Sequence, residues 1–146
     1  MQNSISIKGK LRTKVFQNDQ LIADDESDNL VVDQGLLAMA KLMGGDDPAV
    51  GKPAAKVQVG TSATAPAAGD TTITAAFTKV ISAVSYPTPK SVRFDSTIQT
   101  SEANGMTIQE YGLCNTDDVL YARIVKSPVV KNSSIRIVCE WTLTFS

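Results

Sequence analysis

The chain has no histidine, and its 146 residues include only two cysteines and one tryptophan. Without histidine it lacks the commonest general base and the commonest metal ligand, and a Ser-His-Asp triad is excluded. Cys114 and Cys139 are too few for a disulfide framework or a cysteine zinc site, although a single bridge is geometrically allowed if their strands are neighbours. We therefore expect no cofactor and no bound metal.

An excess of either charge is also missing. The chain has 14 basic and 15 acidic residues, for a formal net charge of −1. Because neutralising phosphates requires a surplus of lysine and arginine, this balance argues against bulk nucleic-acid binding. No stretch approaches the roughly 20 apolar residues of a membrane span, and residues 1–10 lack the apolar region of a signal peptide. We expect a protein made in the cytoplasm, with neither nucleic acid nor membrane as a partner.

Alternation of apolar and polar residues dominates what is present. It is clearest over residues 135–145 and recurs over 5–15, 77–85 and 91–100. A period of two predicts strands with one buried and one wet face. Turn residues separate these segments and no βαβ pattern occurs, which favours an antiparallel β-sandwich of about seven to eight strands or a flattened barrel.

One short α-helix is expected over about residues 34–43. Asp33 is its expected N-cap and Gly44-Gly45 its left-handed stop, and an apolar stripe is expected to pack on the sheet. The domain organisation is then a single β-sandwich domain over 1–146, with an N-terminal hairpin at 5–23 and sandwich strands within 56–145. The expected core includes Leu36, Phe94, Ile108, Ile137, Trp141, Leu143 and Phe145.

Two turn signals organise the strands. Asn18-Asp19 is expected to close the N-terminal hairpin, because both residues tolerate left-handed backbone. Asn104-Gly105 is typical of a type I′ turn and predicts a second hairpin, joining strand 91–100 to strand 106–113. The acidic run at 24–28 is interpreted as a solvated loop, with a calcium site as the alternative.

Two regions are candidate contact surfaces. The first is the basic face of the opening strand, which also fits the alternative of an edge strand protected by its lysines. The second is the small-residue loop at 61–72. Their candidate interface residues are Lys8, Lys10, Arg12, Lys14, Thr61, Ala65, Pro66 and Thr71. Glu110, inside a strand, is expected to form a buried or interfacial ion pair with Arg123 or Arg136 rather than to act as a catalytic carboxylate.

Three blocks of the chain resemble a group of small tailed-bacteriophage virion proteins of the tail, collar or fibre-associated kind. The first block covers 29–36 (NLVVDQGL) and runs to 42–46 (LMGGD). The second covers 57–66 (VQVGTSATAP) and 69–71 (GDT). The third joins 102–105 (EANG), 108–113 (IQEYGL), 120–123 (LYAR) and 141–145 (WTLTF).

The resemblance implies a non-enzymatic structural role in the virion, with no catalytic residues to carry over. The expected position is the neck, collar or tail, including fibre attachment, and the expected partners are further copies of the chain and portal, neck, tail or capsid proteins. A capsid decoration protein is the first alternative. A carbohydrate- or receptor-binding module is the second, and it would be expected to expose aromatic residues such as Tyr86.

Replacing the tryptophan of the last strand tests the assignment of faces. If Trp141 lies on the buried face, Trp141→Ala is expected to lower the free energy of unfolding by about 3–5 kcal/mol. The measurement is chemical denaturation of both proteins. A loss below about 1 kcal/mol would mean that the two faces of this strand are assigned in reverse.

Overall fold

The computed structural model describes residues 4–45, 52–74 and 76–146, which form nine strands and one helix. The elements are β1 (Ile7–Gln17), β2 (Gln20–Val31), α1 (Asp33–Gly44), β3 (Lys56–Gly60), β4 (Phe77–Val80), β5 (Ala83–Ser85), β6 (Ser91–Ile98), β7 (Thr107–Cys114), β8 (Leu120–Val130) and β9 (Ile135–Phe145). Strands make up 54% of the described residues and helix 9%. The predicted class, mainly β and antiparallel with one short helix, is confirmed. No helix of the described residues is long and apolar enough to span a membrane.

All nine strands belong to one antiparallel sheet, which curls into a half-barrel. The strand order is β4-β3-β7-β8-β2-β1-β9-β6-β5. The count exceeds the expected seven to eight because segment 77–85, expected as one strand, breaks at Ile81 and Ser82. The Ile81 N–H donates to the Ala55 carbonyl at 2.9 Å and the Ser82 N–H to the Asp95 carbonyl at 2.8 Å. These two residues therefore carry the chain from one edge of the sheet to the other.

The core lies on the concave face of the sheet. Five of the seven residues expected there are buried, namely Phe94, Ile108, Ile137, Trp141 and Leu143. Trp141 is fully buried, and its indole Nε1–H donates to Asn29 Oδ1 at 2.8 Å. The expectation was wrong for Phe145, which is 37% exposed because it ends the last strand at the rim of the sheet.

The helix packs through small residues, which reverses the expected orientation. Gly35 and Ala38 are its buried positions, whereas Leu36 is 45% and Met43 is 91% exposed. The physical reason is a close approach of backbones, since a Cβ added at Gly35 would lie 2.7 Å from the Tyr121 Cα on β8. At that separation no leucine fits between the helix and β8, so Leu36 and Met43 stay exposed, while Met39 packs against the core from the side of the helix.

The helix ends agree only in part with expectation. Asp33 is the first helical residue, and the N-cap is Val32, whose side chain makes no capping hydrogen bond. Asp33 instead places a carboxylate in the first turn, where the helix dipole favours negative charge. At the other end Gly45 has φ 64°, the left-handed stop that the Gly-Gly pair predicts.

The first predicted turn is confirmed and the second is wrong. Asn18 and Asp19 have φ of 49° and 64° and join β1 to β2. At the second site, positive φ occurs at Ala103 and Gly105, not at Asn104. The strands on either side do not pair, because β6 lies between β5 and β9 while β7 lies between β3 and β8. Residues 99–106 are therefore a crossover between distant parts of the sheet.

One further local expectation is wrong, and one proline lies inside a strand, where proline is unusual. The acidic run at 24–28 is part of β2 rather than a loop, since the hairpin extends to Val31. Pro128 lies inside β8. The β7–β8 register shifts between Ile108 and Glu110, so the proline falls at a bulge, where its missing N–H breaks no ladder bond.

A methyl group at Gly35 tests the close helix packing. Gly35→Ala is expected to lower the free energy of unfolding by about 1–3 kcal/mol, because the added Cβ must push α1 off the β8 backbone. Gly44→Ala is the matched control, since nothing lies within 4 Å of a Cβ there. Thermal and chemical denaturation of both variants make the comparison. Equal stabilities would contradict the proposed packing.

Candidate interaction surfaces

Three of the four cations on the basic face of β1, all but Lys8, are paired with carboxylates of the neighbouring strands. Lys10 lies 3.7 Å from Glu26, and Arg12 forms a bidentate pair with Asp24 whose shorter contact is 2.8 Å. The Arg12 hydrogen bond also holds the pKa of Asp24 below its usual range. Lys14 lies 3.1 Å from Glu140 on β9. The outer face of the hairpin is thus a ladder of opposite charges and not the free basic strip that the sequence indicated.

The acidic run of β2 does not gather its carboxylates at one point. Alternate side chains of a strand point to opposite faces, so Asp24 and Glu26 meet the cations of β1 while Asp25 faces the other way. Among the described residues, no group of three or more acidic or cysteine side chains is arranged to hold a metal ion. The residues at 24–28 therefore serve strand pairing in this structure.

A gap opens in the sheet between β2 and β8. These strands pair only through Leu30 with Arg123 and Val31 with Ala122, and beyond that point they diverge around a cavity of about 620 Å³. Lys126 spans the gap, and its ammonium donates to the Asp25 carboxylate at 2.8 Å and to the Leu11 carbonyl at 2.7 Å. The hydrogen bond from Lys126 to the Asp25 carboxylate lowers the pKa of Asp25 below its usual range. Lys126 of β8 thus links the sheet to the β1–β2 hairpin across this gap.

A buried ion pair lies between β7 and β8. Glu110 is 1% exposed, and its Oε2 accepts from Arg123 Nε at 2.9 Å. Arg123 also lies 3.0 Å from Asp70 Oδ2 and donates to the Thr64 carbonyl at 2.9 Å. The expectation of a buried pair at Glu110 is confirmed with Arg123 as the partner. The alternative cation, Arg136, instead stacks 4.2 Å from the centre of the Phe16 ring.

The same pair fixes the small-residue loop. Glu110 Oε1 accepts from the backbone N–H groups of Ser62 at 3.2 Å and Thr74 at 2.7 Å, at the two ends of the loop. The loop also contacts the start of α1, where the Asp33 N–H donates to the Ala68 carbonyl at 2.8 Å. Of the four loop residues expected at an interface, three are exposed and Pro66 is half-buried; the exposed ones are Thr61, Ala65 and Thr71.

An apolar groove lies between α1 and the strands β5, β6 and β9. Its volume is about 730 Å³, and we define it by Met39, Leu42, Val84, Tyr86, Leu143 and Phe145. Several of these side chains stay open to solvent, with Tyr86 76% exposed, Val84 49% and Leu42 46%. Within the part of the chain that the structure describes, the only charged residue that lines it is Lys90. Among the described residues this is an extended concave surface that is both apolar and uncovered.

Sequence reasoning missed this groove because it placed the Leu36 side of α1 on the sheet and gave no role to Met39 and Leu42, the two α1 residues that line the groove. A usable signal was present, since Gly35 and Ala38 form a small-residue face on the same helix.

The two contact regions that the sequence predicts do not lie next to each other. The basic strand β1 and the strand β3 that leads into the loop are separated by β7, β8 and β2.

The two thiols are buried and apart. Cys114 and Cys139 are both free, and β7 and β9 are separated in the sheet by β8, β2 and β1. The single disulfide bridge that the sequence allowed is therefore not formed. Burial raises the pKa of each thiol to about 12, so both are protonated at neutral pH and neither is an activated nucleophile.

Comparisons with known proteins found no relative of this chain. No protein-family model, no curated protein and no solved structure matches the chain significantly. The resemblance to virion proteins accordingly stays a prediction from the residues of the three sequence blocks.

Removing the buried cation tests the anchor of the loop. Arg123→Met is expected to lower the free energy of unfolding by about 3–5 kcal/mol, because Glu110 is left buried without a partner. Proteolysis within residues 61–74 should accelerate as well. Arg136→Met, which removes only the contact with Phe16, is the control and should cost about 1 kcal/mol or less. A loop that stays protected in Arg123→Met would contradict its anchoring by this pair.

Proposed function

We propose that the chain is a non-enzymatic structural component of a tailed-bacteriophage virion, which acts as a homo-oligomer at the neck, collar or tail, including fibre attachment. The observation that carries this proposal is the apolar groove. Exposed apolar patches on soluble proteins mark contact surfaces, since water contact with such a surface is unfavourable and a partner relieves it. The groove therefore favours a protein whose working state is an assembly.

The placement of the buried charges supports the same role. Glu110 and Arg123 neutralise each other and hold backbone groups of the loop, and Lys126 ties one hairpin to the sheet. Each of these groups stabilises the scaffold rather than facing the apolar groove. A rigid β-scaffold with an anchored loop and one uncovered apolar surface suits a part that must keep its shape within a larger particle.

Location and copy number in intact particles test the proposal. The chain would be labelled and imaged in purified virions, with its copies counted against a protein of known stoichiometry. A small ring at one vertex or along the tail is the expected result. Copies spread over the whole shell would favour the capsid decoration alternative instead. Absence from the particles would contradict any structural virion role.

A carbohydrate- or receptor-binding module is the second candidate, favoured by Tyr86. This tyrosine is 76% exposed at the rim of the groove, where an aromatic ring is available to stack on a sugar. Tyr86→Ala particles that assemble normally but lose adsorption to host cells would establish this alternative. Normal adsorption would leave the structural role in place.

A further inference from the structure

An apolar ridge runs along α1 beside the groove. Leu36, Met39 and Met43 follow the spacing i, i+3, i+7 and so lie along one side of the helix. Met39 already lines the groove, whereas Leu36 is 45% and Met43 is 91% exposed. We call Leu36 and Met43 the helix ridge. The chain thus carries a projecting and a concave apolar surface side by side.

We propose that the groove is occupied by a second copy of this chain, whose helix ridge inserts into it. This inference rests on the proposed homo-oligomeric role and assigns it a surface that differs from both regions expected from the sequence. The ridge supplies leucine and methionine, and methionine adapts to irregular apolar pockets because it is unbranched and polarisable. The groove supplies aliphatic and aromatic walls of matching chemistry.

Charge favours a second copy over a charged partner. Of the residues that the structure describes, the groove contains one charged side chain, Lys90, and the helix ridge contains none. Depletion of charge is typical of the centre of homomeric interfaces. The net charge of −1 also means that two copies repel each other very little. A strongly basic or acidic partner would find no complementary charge on this surface.

The apolar area that the ridge and groove expose approaches that of a stable interface when one copy buries both surfaces against its partner. The ridge and groove together expose six large apolar side chains to between 37% and 91%, namely Leu36, Leu42, Met43, Val84, Tyr86 and Phe145. At about 150–200 Å² for a fully exposed large side chain, this corresponds to about 500–700 Å². In a reciprocal dimer each copy buries both surfaces, and this value approaches the roughly 800 Å² that each partner contributes to a stable interface. A single ridge-to-groove contact buries only one of the two surfaces on each copy.

The ridge and the groove are different surfaces, so insertion of one into the other is a heterologous contact. Repeating such a contact closes a ring when the rotation between neighbours fits, and a reciprocal arrangement gives a dimer. In both cases each copy offers one ridge and one groove. Damage to either surface should therefore block assembly, and two differently damaged copies should complement each other.

Two single variants and their mixture test this arrangement. Met43→Asp damages the ridge and Val84→Asp damages a groove wall, and both side chains are exposed, at 91% and 49%, so neither change should unfold the monomer. Val130→Asp, 66% exposed at the far end of β8 from Tyr121, is the matched control. Light scattering after size exclusion gives the masses, and circular dichroism confirms that each variant is folded.

The wild-type chain and Val130→Asp are expected to run as the same oligomer, with each ridge or groove variant reduced to the 15.5 kDa monomer. An equal mixture of Met43→Asp and Val84→Asp should form a complex of two chains, since one intact ridge meets one intact groove. A monomeric wild-type chain, an unaffected Met43→Asp oligomer or a mixture that forms no complex would each overturn the inference.

Failure of this inference is distinguishable from failure of the proposed function. A chain that is monomeric in solution yet present as a ring in particles would overturn the ridge-and-groove contact and keep the virion role. A chain that assembles through ridge and groove but is absent from particles would keep the contact and overturn the role.

Discussion

The close contact between α1 and β8 determines how the rest of the molecule meets its surroundings. Gly35 lets the helix backbone approach Tyr121 so nearly that no side chain fits between them. Gly35 and Ala38 are the buried positions of the helix, so Leu36 and Met43 stay exposed, while Met39 and Leu42 form one wall of the apolar groove.

The buried pair of Glu110 and Arg123 is the second organising contact. A charge inside a protein is unfavourable unless its partner and its hydrogen bonds are supplied, so the pair recruits backbone groups from the loop at 61–74. The loop in turn contacts the first residues of α1. One ionic interaction thus couples the sheet, the loop and the first turn of the helix.

The charged outer face and the apolar groove have opposite roles. On the β1–β2 hairpin, basic and acidic side chains are matched across the strands, which discourages wrong pairing of an exposed strand. The groove has no such matching, because Lys90 is its only charged lining residue among those in ranges 4–45, 52–74 and 76–146. This contrast between matched charges and an open apolar surface is the basis on which we propose association through the groove.

The sequence by itself determined the strands, the single helix and the burial of Trp141, because these follow from local periodicity and from the size of side chains. It also indicated a buried partner for Glu110, since a carboxylate inside an apolar strand requires one. Strand order, the separation of β6 from β7 and the outward face of α1 were decided only by the tertiary structure. These features depend on which distant backbones approach one another, and residues such as Gly35 reveal that approach only when Tyr121 lies against them.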